Sequence, residues 1–229
     1  AKIVRIDTAE ARKSKGVLDV VTGEDIVAAG WKNPPVLSFF KGVGGSSVRV
    51  PFRPGLAHGT VRFVGEPVVV VVAETEHLAQ DAAEKIVIDY EDLPVVVDAA
   101  AALEAGAPRV HADMPDNLCF EYEYGSKDPV DQAFAKAAHI IRVEVTAQRI
   151  AGNPMEPKSC MAHYHAAMDT FDLYCPTQGI SDIKASLAAI TGLDASKFRI
   201  HSNDVGGGFG VRNEIYPEFL ALLLAAKRT

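Results

Sequence analysis

An α+β fold in two successive units is what this sequence predicts, and three observations predict it. The chain has 229 residues, 48% of them apolar and 23% charged, enough for one large or two ordinary globular domains. From residue 1 to about 105, short β-branched runs alternate with short helical patterns. Residues 106–127 then carry Pro108, Pro115 and Gly125 with little periodicity, which reads as a linker. Beyond it, from 128 to 229, a second unit resumes with longer periodic segments.

In the first unit, Ile3, Val4 and Ile6 read as a strand that Asp7 and Thr8 end before a short helix. Val17–Val21 is a second strand. Thr22 and Asp25 then have capping-box spacing for a helix that Gly30 closes. Residues 31–59 are rich in Gly and Pro without periodicity, and so long a stretch is usually functional, disordered or covered by a partner. After Arg62-Phe63-Val64-Gly65-Glu66-Pro67, the run Val68–Val72 has the composition of a strand buried on both faces. Thr75 caps a helix over 76–85 with Leu78, Ala82 and Ala83 inward. Strands over 86–90 and 95–97 and an Ala-rich helix from Asp98 complete this unit.

The second unit opens with a helix capped by Asp128, with Pro129 in the first helical position. Strands are predicted over 139–148, 161–167 and 170–175, the last two joined by a turn near Met168 and Asp169. A helix over 179–191 stops at Gly192, a strand covers 198–202, and a glycine loop leads to a last helix starting near Asn213. On that helix Tyr216, Phe219, Leu220, Leu223 and Leu224 form a broad apolar stripe. Either the earlier chain covers it or a further segment does. With the opening on Ala1, the stripe suggests a piece cut from a longer protein.

Composition narrows function. Lys and Arg number 23 against 30 Asp and Glu, a net charge of −7, which repels nucleic acid and anionic membranes. The longest apolar runs, 67–73 and 219–226, are well short of the roughly 18–20 residues a bilayer span needs. No secretory signal is visible. Cys119, Cys160 and Cys175 form no C-x-x-C pair and no disulfide framework, so a reduced cytoplasmic protein without its own iron–sulfur or zinc site is expected.

The most unusual local feature is Gly206-Gly207-Gly208-Phe209-Gly210, between a strand and a helix. Successive N–H groups of such a loop form a nest for anionic oxygens; otherwise it is a tight turn. The dinucleotide fingerprint fails because Val211 stands where the third glycine belongs, and no Gly-Lys-Ser/Thr of a phosphate loop follows. Gln178, in Cys175-Pro176-Thr177-Gln178-Gly179, either donates a neutral hydrogen bond to an oxo or carbonyl oxygen or caps its own helix. Glu156, between Pro154-Met155 and Pro157, is a rigidly held carboxylate or an ordinary loop acid. His163 and His165 share a strand face, but no carboxylate or Cys partner is evident at metal spacing, so no metal site is expected.

Taken in order, several segments resemble the molybdenum-binding large subunit of the xanthine oxidase, aldehyde oxidase and carbon monoxide dehydrogenase family. They are Gly16-Val17-Leu18 through Thr22-Gly23-Glu24-Asp25, then Arg62 to Val68, then Ala82-Ala83-Glu84 through Asp89-Tyr90-Glu91. Asn153 to Pro157, Thr177-Gln178 and Val205 to Gly210 follow. The resemblance implies a hammerhead-type α/β domain over 1–105, entered partway, a linker over 106–127, and the first part of a mixed α/β molybdopterin-binding domain over 128–229. It implies that Gln178, Gly207, Gly208, Phe209 and Gly210 contact a molybdopterin-type molybdenum cofactor.

The implied reaction is oxidation of an aldehyde, N-heterocycle or similar small molecule with water as oxygen source. Electrons pass to [2Fe–2S] clusters and FAD on iron–sulfur and FAD subunits or domains, and a dimer of heterotrimers is implied for the full-length protein. The family's catalytic Glu is expected beyond residue 229, so this segment alone should be inactive. Asn213 stands where the purine-hydroxylating branch has an acid, with Glu214 next to it. Both are substrate-pocket candidates, and they disfavour purine. Gly179-Ile180 replaces the Pro-His frequent in related dehydrogenases. The other reading is a non-catalytic assembly or interaction module on the same fold.

Overall fold

A computed structural model describes residues 1–36, 41–148 and 150–229. β1 (Lys2–Asp7) pairs antiparallel with β4 (Val87–Glu91), Ile6 opposite Ile88. A second antiparallel pair joins β2 (Val17–Thr22) to β3 (Val69–Ala73). Three short helices connect these strands: α1 (Ala9–Arg12), α2 (Gly23–Ala28) and α3 (Glu76–Ala83). At the start of α2 the backbone N–H and hydroxyl of Thr22 both donate to Asp25 Oδ2 at 2.8 Å, as the spacing predicts. The Thr75 hydroxyl likewise accepts from Leu78 N–H at the start of α3.

The strand buried on both faces is β2, not the valine run of β3. Its adjacent Val20 and Val21 are both fully buried and, by the period-2 alternation of a strand, enter different clusters. Val20 packs with Ala11 and Ala82, and Val21 with Ile26, Leu56, Ala221 and Ala225. β3 pairs with β2 alone among the described residues. All five of its residues are therefore half-buried. Ala82 of α3 is buried as expected, but Ala83 is exposed. Residues 95–97 form no strand, and Val97 is 92% exposed. The helix expected from Asp98 is a single 3-10 turn, Ala101–Leu103, with Asp98 Oδ1 accepting from Ala101 N–H.

Of the stretch 31–59, residues 37–40 lie outside the described residues. The rest holds one 3-10 turn, Val43–Gly45, and then dives inward, leaving Leu56 and Ala57 buried.

In the second half, α4 (Lys127–Lys136) starts one residue before the expected Asp128 cap, with Ser126 as N-cap and Pro129 third in the helix. No residue of α4 is buried. No strand forms over 139–148; Ile141 and Val145 are at least 80% exposed. Alternating apolar residues give a strand a face but no pairing partner. Among the described residues, no neighbouring strand offers this segment a ladder.

The hairpin of β5 (Met161–His165) and β6 (Thr170–Tyr174) forms as expected, turning at Asp169, and β6 also pairs in parallel with β7 (Phe198–His201). The crossover between β6 and β7 is α5 (Ile180–Thr191), which ends at Gly192. Ile183, Leu187 and Ile190, spaced four and three apart, lie on one helix face and pack onto Leu173 and Phe198.

The last helix, α6 (Pro217–Arg228), starts four residues later than predicted. Its stripe is covered by this chain itself. Phe219, Leu220 and Leu223 complete the core around β6 and α5, while Ala221 and Ala225 face Val21 and Leu56. Burying Leu220 and Leu223 stabilises the packing by about 1.5–3 kcal/mol each. Among the described residues, no helix is long and apolar enough to cross a membrane.

Candidate functional site

The site begins where β6 runs out. Cys175 N–H donates to His201 O, carrying the pairing with β7 one residue further. Thr177 is buried and fixes the next turn: its N–H donates to Ser202 Oγ, its hydroxyl donates to Arg212 O at 3.0 Å, and Gly179 N–H donates to that hydroxyl. Gln178 N–H also donates to Arg212 O. The backbone at 177–178 is thereby tied to the chain just past the glycine loop.

Gln178 does not cap α5, whose N-cap is Gly179. Its side chain reaches the glycine loop, where Oε1 accepts from Gly210 N–H at 3.0 Å. A backbone N–H only donates, so the amide orientation is fixed chemically. The carbonyl faces the loop, and the amino group has no protein partner among the described residues. The loop backbone comes so close that a Cβ on Gly208 would sit 2.3 Å from Gln178 Cδ. Only glycine permits that approach. Gly207 has φ 109° and Phe209 φ 51°, with the Phe209 ring 75% exposed.

Of the loop's N–H groups, Gly206 donates to Glu156 Oε2, Gly210 to Gln178 and Val211 to Gly208 O. Those of Gly207, Gly208 and Phe209 have no acceptor among the described residues. α6 begins only at Pro217, so the glycine loop does not run directly into a helix N-terminus, as the sequence suggested.

Beneath the loop lies a pair that sequence reasoning missed. The Arg212 side chain is 1% exposed and its Nη1 donates to Glu156 Oε2 at 2.6 Å, while Nη2 donates to the Glu156 carbonyl. Glu156 is thus neither free nor an ordinary loop acid. It clasps the proline-flanked segment 153–157 to the glycine loop. Nothing local marks Arg212, because its partner is 56 residues away.

Asn213 and Glu214 are both exposed just past the loop. Glu214 lines a cavity of about 310 Å³ together with Lys158, Cys160, Arg212 and Tyr216. The Lys158 ammonium sits 3.2 Å from the centroid of the Tyr216 ring. All three cysteines are free. Burial pushes the thiols of Cys160 and Cys175 up to about 11. His163 and His165 do have a carboxylate neighbour after all, Asp172 on β6.

Comparison with known proteins gives this geometry a family. Residues 110–229 match the molybdopterin cofactor-binding domain, and residues 1–94 match the a/b hammerhead domain of aldehyde oxidase and xanthine dehydrogenase. The chain is 34% identical over 229 residues to the nicotine 6-hydroxylase large subunit of Paenarthrobacter nicotinovorans, covering 99% of this chain and 27% of that protein. It is 30% identical over 238 residues to the carbon monoxide dehydrogenase large chain of Afipia carboxidovorans, covering 99% and 28%. Quinoline 2-oxidoreductase from Pseudomonas putida 86 superposes with a TM-score of 0.85 at 31% identity, again over 99% of this chain and 28% of that one. The chain therefore spans little more than a quarter of the length of these three relatives. It belongs to the aldehyde oxidase and xanthine dehydrogenase family, of which it carries a hammerhead domain and molybdopterin cofactor-binding sequence.

Proposed function

We propose that this chain is part of the catalytic large subunit of a molybdenum hydroxylase or dehydrogenase that oxidises an aldehyde, N-heterocycle or similar small molecule. Water is the oxygen source, and electrons pass to [2Fe–2S] and FAD groups on partner subunits or domains. The observation that carries this reading is a set of neutral donors left open beside one another. The Gln178 side chain is bonded to the glycine loop through its carbonyl, and the Gln178 amino group and the N–H groups of Gly207, Gly208 and Phe209 have no acceptor among the described residues. They fit a metal centre whose ligands are partly anionic oxygens, because they supply hydrogen bonds without adding charge.

When bound, the molybdenum cofactor supplies the two-electron oxidation. The chain's own residues hold and orient it: Gln178 through its amide, and Gly207, Gly208 and Phe209 through the loop backbone, with Gly210 holding the Gln178 carbonyl. Glu156 and Arg212 keep that backbone in place. Asn213 and Glu214 lie toward the substrate side. An amide at Asn213, where the purine branch has an acid, argues against purine, and the names of the nicotine and quinoline relatives favour an N-heterocycle. The general base is a Glu beyond residue 229. We divide the chain at 106–127; the family matches end at 94 and resume at 110, inside that segment. Three free cysteines support a reducing, cytoplasmic setting.

The test is Gln178→Ala in the molybdenum-loaded holoenzyme. Turnover should fall roughly 100- to 1000-fold, the loss typical of one donor aimed at developing charge, with molybdenum content retained. Unchanged turnover at full metal content would sink this reading and favour an assembly module on the same fold.

A further inference from the structure

The β5–β6 hairpin gathers a second group of metal-competent side chains that the molybdenum reading does not use. His163 and His165 stand two apart on β5 and so point to one face. The hairpin register sets His163 opposite Asp172. His163 Nδ1 lies 3.2 Å from His165 Nε2, and that same nitrogen lies 2.7 Å from Asp172 Oδ2. All three atoms fall within 4.8 Å of one another.

Hydrogen bonding alone satisfies this cluster poorly. An imidazole nitrogen carries either one proton or one lone pair, in the ring plane. His165 Nε2 has two polar neighbours, and facing a carboxylate it must spend its single proton there. His163 Nδ1 is then left with only a share of that proton, or with a proton of its own and no acceptor. Asp172 adds a buried charge. It is 7% exposed, and its Oδ1 faces His201 Nε2 at 3.4 Å, an ion-pair distance without a well-formed hydrogen bond. A carboxylate in a strand flanked by the buried Phe171 and Leu173 is costly unless positive charge lies beside it.

A bound cation gives the two imidazole nitrogens and Asp172 Oδ2 a common partner and sets positive charge beside the buried carboxylate. Donors about 2.0–2.1 Å from a tetrahedral zinc ion lie about 3.3 Å from each other; the two imidazole nitrogens are 3.2 Å apart, and Asp172 Oδ2, 2.7 Å from His165 Nε2, needs to move out by about half an ångström. Two imidazoles and one carboxylate suit a borderline first-row ion, whereas calcium and magnesium prefer oxygen throughout. The exposed His163 leaves a path for entry and an open coordination position.

We propose that His163 Nδ1, His165 Nε2 and Asp172 Oδ2 form a site for a divalent transition ion, zinc first, with His201 positioning the carboxylate through Oδ1. The ion clips β5 to β6 at a place independent of the glycine loop.

The test is zinc titration of metal-stripped full-length protein by calorimetry, with cobalt(II) as a spectroscopic reporter. One equivalent of zinc should bind per chain, and cobalt should show the visible bands of a tetrahedral site. His201→Ala should weaken zinc binding roughly 10- to 100-fold, the range for a residue that orients a ligand, and His163→Ala at least as much. Because Asp172→Asn places a change in the core, the exposed His163 is the deciding position, with folding checked by circular dichroism. His77→Ala, on α3, is the control and should change nothing. The proposal is overturned by a folded wild type that takes up no zinc, by uptake unaffected in His163→Ala, or by equal loss in the His77 control.

Discussion

Glu156→Gln is the sharpest probe of how the site is held. The substitution keeps the shape and one carbonyl acceptor but removes the charge opposite an Arg212 side chain that is only 1% exposed. Breaking a fully buried ion pair by removing one partner costs about 3–5 kcal/mol. Here Glu156 is 33% exposed, so water reaches the mutated end and offsets part of that loss. A hydrogen bond to a charged group is worth about 1.5–3 kcal/mol, and that is the expected destabilisation. It corresponds to a Tm lowered by about 4–10 °C at this chain length. Urea unfolding with an unchanged m-value measures it directly, and amide exchange at Gly206, whose N–H donates to the same Oε2, should quicken. Arg212→Met should cost less than Glu156→Gln, since it removes the buried charge and leaves a carboxylate that can reach water. The double substitution should recover part of the Glu156→Gln loss. A Glu156→Gln effect under about 0.5 kcal/mol, the range of an ordinary surface change, would refute the clasp.

Two further outcomes follow from protonation. Burial raises the Asp25 carboxyl, but the N–H and hydroxyl of Thr22 and the Arg228 guanidinium outweigh it and hold the group below its usual range. Its folded value thus lies below the unfolded one. The stability it adds is present above about pH 4 and is lost as pH falls through the lower folded value. Asp25→Asn should cost about 0.5–2 kcal/mol at neutral pH and flatten the acid limb of a stability–pH curve; identical limbs would count against it. At about pH 8, iodoacetamide should add one label to the folded protein, at the exposed Cys119, and three after unfolding in urea. Three labels on the folded protein would contradict the partial burial of Cys160 and the burial of Cys175.

What the sequence makes legible here is whatever is fixed within one or two turns of chain. The stripe 183, 187, 190 with Gly192 behind it specifies α5, and the alternation either side of Asp169 specifies the β5–β6 hairpin. The same alternation misleads at 139–148 and 95–97, where residues with strand composition have no ladder to join. The residues proposed to hold the cofactor were legible as motif segments. The bonds that arrange them were not, because Gln178 meets Gly210 across 32 residues and Glu156 meets Arg212 across 56. The Asp172 partner of His163 and His165 was within reach. A turn centred near 168 pairs 165 with 170 and therefore 163 with 172, so register arithmetic finds a carboxylate that spacing along the chain does not.

The arrangement also explains how a loop rich in donors sits beside a buried guanidinium without acquiring its charge. Arg212 lends its carbonyl to Thr177 and Gln178, and so fixes Gln178 relative to the loop. Its positive side chain points to Glu156 and is neutralised there. What remains facing outward is a set of neutral N–H donors whose positions are set by backbone. Five residues on, α6 locks the chain down. Phe219 and Leu223 pack into the core of β6 and α5, Ala221 and Ala225 pack against β2, and Arg228 reaches Asp19 and Asp25. Donors that stabilise developing charge must not move as it develops, because reorganisation at that moment is what preorganised sites avoid. Holding them between two long-range hydrogen-bonded clasps and a helix buried against both halves of the chain meets that requirement. A flexible glycine loop alone would not.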